Sequence, residues 1–154
     1  ARANAPAATA AAAAADANDA LEGARVLLVE DNPVNMLIAE TLLGNWGVEV
    51  VQATDGRQAV EAVERERGRF DAGLMDVHMP VMSGHEATVE LRKRYMADEL
   101  PIIALTAAAL ASEQQQSLAL GMNDFVAKPF DAARLRELLI RWTAHRRARI
   151  RRAA

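Results

Sequence analysis

The chain has 154 residues, the length of one domain with a short extension at one or both ends. Hydrophobic residues make up 51% of it and charged residues 25%, as in ordinary globular proteins, and it contains no cysteine. The absence of cysteine excludes disulfides, thiolate metal sites and thiol nucleophiles. No apolar run approaches the ~18 residues that cross a bilayer. We therefore expect that this segment is cytoplasmic and does not insert into a membrane.

The charge is unevenly distributed along the chain. The net charge is −3, but residues 141–154 contain six arginines and no acidic residue, which leaves 12 basic against 21 acidic residues elsewhere. Nucleic-acid-binding domains are usually basic over the folded body and stack aromatic residues on bases, whereas aromatic residues are 4% of this chain. We therefore expect no nucleic-acid partner, and we interpret residues 146–154 as an Arg-rich, solvated tail that follows a helix.

The two ends of the chain differ in composition from its middle. Residues 1–23 are rich in alanine, which favours helix but offers no large side chain for packing, so we predict a flexible or loosely helical linker. The predicted folded domain covers residues 24–145. A lead-in of this composition resembles an interdomain linker, which favours origin from a longer protein over a free-standing one.

Five short apolar segments alternate with helical patterns between these ends. We predict strands at 25–29, 48–53, 71–76, 101–105 and 124–127. We predict helices at 33–46, 59–68, 84–96, 110–120 and 135–142. Strict alternation favours an α/β, flavodoxin-like doubly wound (βα)5 fold with a five-stranded parallel sheet in the order 2-1-3-4-5.

The first helix carries the clearest start signal. Asn32 can cap it and Pro33 can occupy its first position. Its large apolar residues recur at helical spacing; these are Val34, Leu37, Ile38, Leu42 and Trp46.

Polar side chains follow four of the five strands. Glu30 and Asp31 come after the first strand, Asp76 ends the third, Thr106 follows the fourth and Lys128 follows the fifth. Because the carboxyl ends of parallel strands share one edge, these groups should converge there. Clustered carboxylates repel one another, and Mg²⁺, which prefers oxygen ligands, would relieve that repulsion. A lysine beside them can bind a phosphoryl group. These residue types therefore predict a site with a carboxylate nucleophile, a metal ion and a cation around an anionic group that is transferred.

Four sequence motifs carry a family resemblance. They are VLLVEDNPVN at 26–35, LMDVHMPVMSG at 74–84, IIALTA at 102–107 and GMNDFVAKPF at 121–130. In this order and on these predicted strands they resemble the receiver domain of bacterial two-component response regulators, most of all receivers attached to hybrid sensor histidine kinases. The similarity covers roughly residues 24–145. It implies phosphorelay signalling, with a histidine kinase core or a histidine phosphotransfer protein as partner.

The resemblance also implies a role for each site residue. Asp76 matches the phosphoacceptor, Lys128 the lysine that pairs with the phosphoryl group, and Thr106 the hydroxyl that binds a phosphoryl oxygen. Mg²⁺ would be held by Glu30, Asp31, Asp76 and the backbone carbonyl of His78. Thr106 and Phe125 match the switch pair that changes the surface of the fourth helix, fifth strand and fifth helix. The Lys128–Pro129 peptide bond is expected to be cis.

Two other functions remain open at this point. One is a Mg²⁺-dependent phosphohydrolase that forms an aspartyl phosphate, although such enzymes commonly carry a second Asp two residues after the nucleophile, where this chain has His78. The other is a receiver-like interaction domain that is not phosphorylated. A receiver would catalyse its own phosphorylation and dephosphorylation without turning over a separate substrate.

Overall fold

The computed structural model describes residues 20–107 and 111–153, so most of the predicted linker, residues 1–19, lies outside the described residues. Five strands are present: β1 Arg25–Val29, β2 Glu49–Ala53, β3 Ala72–Asp76, β4 Ile102–Thr106 and β5 Asp124–Ala127. Five helices follow them in alternation: α1 Pro33–Asn45, α2 Gly56–Arg65, α3 Gly84–Arg92, α4 Ala111–Ala119 and α5 Ala132–Ala153. None of the helices within the described ranges has the length and apolar character required to cross a membrane.

The strands form one parallel sheet in the order β2-β1-β3-β4-β5, which confirms the predicted flavodoxin-like fold. The register pairs Val29 with Met75, and it pairs Asp76 with Leu105. Thr106 is in turn paired with Ala127, the residue before Lys128. The polar residues that end β3 and β4 and those that follow β1 and β5 therefore meet at one edge of the sheet.

Hydrophobic packing covers both faces of the sheet. Along β1, Val26 and Leu28 belong to one buried cluster and Leu27 and Val29 to the other. This alternation explains the uninterrupted apolar sequence of β1, because successive side chains point to opposite faces and both faces are covered by helices. The three central strands are accordingly buried almost throughout, and they form a rigid support for the loops at their carboxyl ends.

Helix α1 buries a different face from the one that large apolar residues indicate. Met36, Ala39 and Leu43 face the core, whereas Val34 and Leu37 are each 64% exposed and Ile38 is 46% exposed. Apolar residues surround most of this helix, so their spacing alone does not select a face. We call the exposed residues Val34, Leu37 and Ile38 the α1 apolar face.

The Arg-rich end of the chain is not a separate tail. Helix α5 continues to Ala153, and the Arg146 and Arg147 side chains reach back to Asp71 at the start of β3. Arg146 Nε also donates a hydrogen bond of 2.7 Å to the Glu99 carbonyl. The prediction of a solvated tail at 146–154 is therefore wrong for these residues, because buried or partly buried oxygens at the amino edge of the sheet bind them.

The end of the linker and the end of α3 also differ from the prediction. Leu21, which falls within the predicted linker, is fully buried in the core. Helix α3 ends at Arg92 instead of extending to about Met96. Its last turn is replaced by irregular chain whose carbonyls at Tyr95 and Met96 accept hydrogen bonds from the Arg92 guanidinium group.

Candidate functional site

Three carboxylates cluster at the carboxyl edge of the sheet. Glu30 and Asp31 follow β1, Asp76 ends β3, and one oxygen of each lies within 4.8 Å of the others. Glu30 is 1% exposed and Asp76 is 5% exposed, whereas Asp31 is open to solvent. The cluster therefore has two buried charges at its base and one accessible charge at its mouth.

The start of α1 fixes the first of these acids, Glu30. The Asn32 side chain accepts hydrogen bonds from the backbone amides of Val34 and Asn35, at 2.9 and 3.2 Å, and so caps the helix. The Asn32 amide donates to Glu30 Oε2 at 3.2 Å. The cap therefore holds the turn between β1 and α1 and orients the Glu30 carboxylate into the cluster.

Lys128 is the cation of the site. Its Nζ lies 2.5 Å from Glu30 Oε1 and 3.1 Å from Asp76 Oδ2, with the lysine side chain 16% exposed. The backbone places it there, since the Lys128 amide donates to the Thr106 carbonyl at 2.8 Å. The Lys128–Pro129 bond is cis, as expected. One ammonium group thus faces two buried carboxylates.

Burial and mutual contacts shift the pKa values of Asp76, Glu30 and Lys128. Burial, together with a hydrogen bond to Glu30, raises the pKa of Asp76 from its ordinary 3.8 to about 7, although Lys128 opposes the shift. Burial acts in the same direction on Glu30, but hydrogen bonds with Asp76 and Lys128 outweigh it and lower the Glu30 pKa. Burial disfavours the charged form of Lys128, yet both carboxylates more than compensate and raise its pKa. Lys128 is therefore charged, and Asp76 is the carboxyl group that holds a proton most readily.

The loop between β3 and α3 lies directly over Asp76. The His78 amide donates to Asp76 Oδ1 at 3.2 Å, and the Gly84 amide donates to the Val77 carbonyl at 3.0 Å. A Cβ at position 84 would collide with the Asp76 carbonyl oxygen, so only glycine allows α3 to begin this close to the acid. Close backbone approach thus holds the Asp76 carboxylate in a fixed orientation.

Ser83 and Glu86 cap α3 at this loop. The Ser83 hydroxyl accepts from the Glu86 amide at 3.1 Å, and the Glu86 carboxylate accepts from the Ser83 amide at 3.0 Å. This capping box was not predicted, although its signal, Ser followed by Glu three residues later, is readable in the sequence. The cap stabilises the helix start that packs against Asp76.

Thr106 and Phe125 lie on the neighbouring strands. Thr106 ends β4 and is 2% exposed, while Phe125 is half-buried on β5 and packs at the margin of the core cluster that contains Met75. Phe125 also lines an open cleft of about 310 Å³ together with Gln114 and Arg134. Phe125 is therefore outside the carboxylate cluster, on the side of the sheet edge that faces α4 and α5.

The chemistry of the cluster fits a hard divalent cation. Three carboxylates within 4.8 Å face one ammonium group, which leaves an excess of negative charge at a partly open mouth. Oxygen ligands of this kind are those that Mg²⁺ prefers, with water completing its coordination. Burial is the main cause of the raised pKa of Asp76, and the nearby Glu30 charge, which such a cation would offset, adds to it.

Comparison with known proteins places these features in one family. The family described as "response regulator receiver domain" matches residues 26–140. Sensor protein GacS of Pseudomonas syringae pv. syringae is 44% identical over 122 residues, covering 77% of this chain and 13% of that protein. The chain thus spans about an eighth of the length of this curated relative.

Solved structures show the same similarity. The receiver domain of sensor histidine kinase PA1611 from Pseudomonas aeruginosa PAO1 has a TM-score of 0.72 and 47% identity, covering 79% of this chain and 98% of that one. That structure has a magnesium ion coordinated in its active-site cleft. The receiver domain of Ssk1 in complex with the histidine phosphotransfer protein Ypd1 of Saccharomyces cerevisiae has a TM-score of 0.72 and 28% identity, with coverage of 80% and 91%.

Proposed function

Because this chain belongs to the response regulator receiver domain family, we propose that Asp76 is its phosphoacceptor and that Mg²⁺ is its cofactor. The observation that carries the proposal is Lys128 Nζ at 2.5 and 3.1 Å from Glu30 and Asp76, inside a cluster of three carboxylates. This arrangement supplies a nucleophile, a metal-binding set and a cation within one small volume. The domain is a module of phosphorelay signalling, and the donor is a phosphohistidine of a histidine kinase or a histidine phosphotransfer protein.

The transfer follows from the positions of these groups. An Asp76 carboxylate oxygen attacks the phosphorus atom, the bond from phosphorus to the donor imidazole nitrogen breaks, and the nitrogen keeps the electron pair. The product is an acyl phosphate on Asp76 and a free histidine. Lys128 orients Asp76 before the transfer and pairs with a phosphoryl oxygen afterwards, while Thr106 binds another phosphoryl oxygen.

The metal would be held by Glu30, Asp31, Asp76 and the backbone carbonyl of His78. When bound, Mg²⁺ neutralises the carboxylates and the charge on the transferring phosphoryl group. Two backbone amides hold the buried carboxylates in place, because the Asn32 amide donates to Glu30 and the His78 amide donates to Asp76. Asp31, which is exposed, is the carboxylate that a hydrated ion reaches first.

Phosphorylation would switch the surface formed by α4, β5 and α5. The acyl phosphate adds about two negative charges, which attract the Thr106 hydroxyl. Phe125, half-buried beside the open cleft, then turns inward into the space that Thr106 vacates, and the equilibrium between two packings shifts. Phosphorylated and free forms should therefore differ in amide NMR shifts around both residues, and identical shifts would exclude the switch.

The α1 apolar face supports docking of a helical phosphohistidine donor. Its three side chains are exposed at positions i, i+3 and i+4 of one helix, and Leu37 also lines a cleft of about 430 Å³ that contains Glu30 and Asp31. A donor must cover this rim in order to bring a histidine to Asp76. Such a partner is consistent with a cytoplasmic location of this domain. It is also consistent with the domain being part of a longer hybrid kinase.

The central experiment measures intact mass after incubation with Mg²⁺ and acetyl phosphate or phosphoramidate. A single phosphoryl adduct is expected on the wild type and none on Asp76→Asn. Repeated turnover of a small phosphoester would favour the phosphohydrolase instead, and absence of an adduct with every donor would favour an interaction domain.

A second experiment separates donor docking from chemistry. Leu37→Asp should slow transfer from a phosphorylated histidine phosphotransfer protein that labels the wild type, because a charge then interrupts the α1 apolar face. The same variant should react with acetyl phosphate at the wild-type rate, since Leu37 touches none of the reacting atoms. Equal rates with the protein donor would exclude this face as the docking surface.

A further inference from the structure

Helix α4 contacts the loop over Asp76 through one carboxylate. His78 Nε2 and Glu113 Oε1 are 2.8 Å apart, although the two residues are 35 positions apart in sequence. The His78 side chain is 71% exposed, whereas that of Glu113 is only 18% exposed. Glu113 is therefore the better fixed partner, and its position limits where the His78 side chain can lie.

Residue 78 has a direct connection to the reacting group. Its amide donates to Asp76 Oδ1 at 3.2 Å, and its carbonyl is the backbone ligand in the metal site proposed above. The amide and the carbonyl belong to the two peptide groups that flank one Cα, and the His78 side chain leaves from that same Cα. A restraint on this side chain consequently restrains the backbone that faces Asp76.

A second hydrogen bond fixes α4 itself. His85 Nε2 and Ser117 Oγ are 2.8 Å apart, and Ser117 is the buried residue of the described part of α4, at 1% exposed. An open cleft of about 430 Å³ is lined by residues of both pairs, namely His78, Glu113 and His85. Helix α4 thus has one polar contact with the loop, at His78, and one with the start of α3, at His85.

We propose that Glu113 is a positioning residue for phosphorylation of Asp76, acting from α4 through residue 78. This inference rests on the proposed function, because it concerns the rate of the same phosphoryl transfer. Glu113 does not touch the phosphoryl group. It accepts a hydrogen bond from His78, and the restrained backbone of residue 78 holds the Asp76 carboxylate and presents its carbonyl to the metal.

The experiment is a double-mutant cycle on the rate of adduct formation with acetyl phosphate, measured by intact mass over a range of Mg²⁺ concentrations. Glu113→Ala should lower the rate or raise the Mg²⁺ concentration for half-maximal rate by about three- to tenfold, as for contacting residues that act together. Glu113→Gln should recover most of the loss, because its side-chain oxygen can still accept from His78. In a His78→Ala background, Glu113→Ala should have no additional effect.

Gln116→Ala is the matched control. Gln116 lies in the same cleft and on the same helix, and it makes no hydrogen bond there, so its removal should leave both rate and Mg²⁺ dependence unchanged. Thermal unfolding of every variant separates positioning from loss of structure. A variant that unfolds at the wild-type temperature and reacts slowly supports the inference.

Three outcomes would overturn it. Glu113→Ala could react as fast as the wild type at every Mg²⁺ concentration, or it could slow the reaction equally with and without the His78 side chain. Failure of Glu113→Gln to recover any rate would likewise show that a hydrogen bond to His78 is not the cause. The proposed function fails separately, because in that case the wild type itself would form no adduct.

Discussion

Two aspartates flank β3, and their surroundings differ in charge. Asp71 precedes the strand and is bound by the Arg146 and Arg147 side chains at 3.5 and 3.2 Å and by the Arg25 amide at 2.9 Å. Asp76 ends the strand and faces two other carboxylates with Lys128 as the cation. Asp71 is 8% exposed and Asp76 is 5% exposed, so burial does not distinguish them.

The difference lies in how completely each charge is compensated. The two arginines balance the charge of the Asp71 carboxylate. They also hold α5 against the amino edge of the sheet. Around Asp76 the negative charge exceeds the positive charge, and burial together with a hydrogen bond to Glu30 raises the pKa of Asp76 to about 7. The amino edge is thus organised for stability and the carboxyl edge for binding a cation and reacting.

The largest effect should follow from Asp71→Ala. Removing the buried Asp71 carboxylate leaves the Arg25 amide without its acceptor and the partly exposed Arg146 and Arg147 without their counter-ion, so the free energy of unfolding should fall by about 2–3 kcal/mol. Urea unfolding measures this change. The variant should still form the phosphoryl adduct at Asp76 under conditions where it is folded. Loss of the adduct with unchanged stability would contradict the division between the two edges.

Asp76→Asn should have the opposite effect on stability, in a pH-dependent manner. The unfolded chain loses the Asp76 proton near pH 3.8 and the folded protein near pH 7, so the stability this group contributes is present below pH 3.8 and lost as the pH rises through 7. Without Mg²⁺ at pH 8, the variant should be more stable than the wild type by on the order of 2 kcal/mol, partly offset by the lowered pKa of Glu30.

Urea unfolding at pH 5 and pH 8 measures this dependence. The advantage of Asp76→Asn should be clearly smaller at pH 5, which lies between the two pKa values, than at pH 8, while Asp71→Asn should be destabilised at both values. A constant difference between wild type and Asp76→Asn across this range would show that the Asp76 charge is already compensated.

Added Mg²⁺ should stabilise the wild type through the carboxyl edge alone. At a free concentration ten times its Kd, the free energy of unfolding should rise by about 1.4 kcal/mol. Asp31→Asn should weaken this response, whereas Asp71→Asn should respond as the wild type does. Thermal unfolding with Mg²⁺ and with EDTA measures it, and equal responses of both variants would place the ion elsewhere.

The smallest effects concern the end of α5. Arg146→Ala should cost about 1–2 kcal/mol, because Arg146 binds the Glu99 carbonyl and Asp71 with its side chain 15% exposed. Arg152→Ala should change stability by less than about 0.5 kcal/mol, because this residue is exposed at the helix end. Urea unfolding compares the two, and equal losses would contradict a tether located at Arg146.

Local sequence signals predicted much of the architecture. The continuous apolar run of β1 indicated a strand covered on both faces, and Asn32 with Pro33 marked the start of α1. Local signals did not predict which face of a helix is buried or which distant residue a charged side chain binds. In α1 the apolar residues are distributed around the helix, so the sheet and not the spacing selected Met36 and Leu43 for the core. The Arg-rich segment had no nearby acid, and its partner Asp71 lies 75 residues away from Arg146.

The sequence by itself determined that carboxylates, a hydroxyl and a lysine follow parallel strands, and this order places them at one edge of the sheet because parallel strands share their carboxyl ends. Only the tertiary structure decided how these charges are balanced, since a pKa depends on burial and on neighbours within a few ångströms. The same holds for the His78–Glu113 contact, which joins residues 35 positions apart. No local pattern encodes such a distance, because the packing of α4 against the loop sets it.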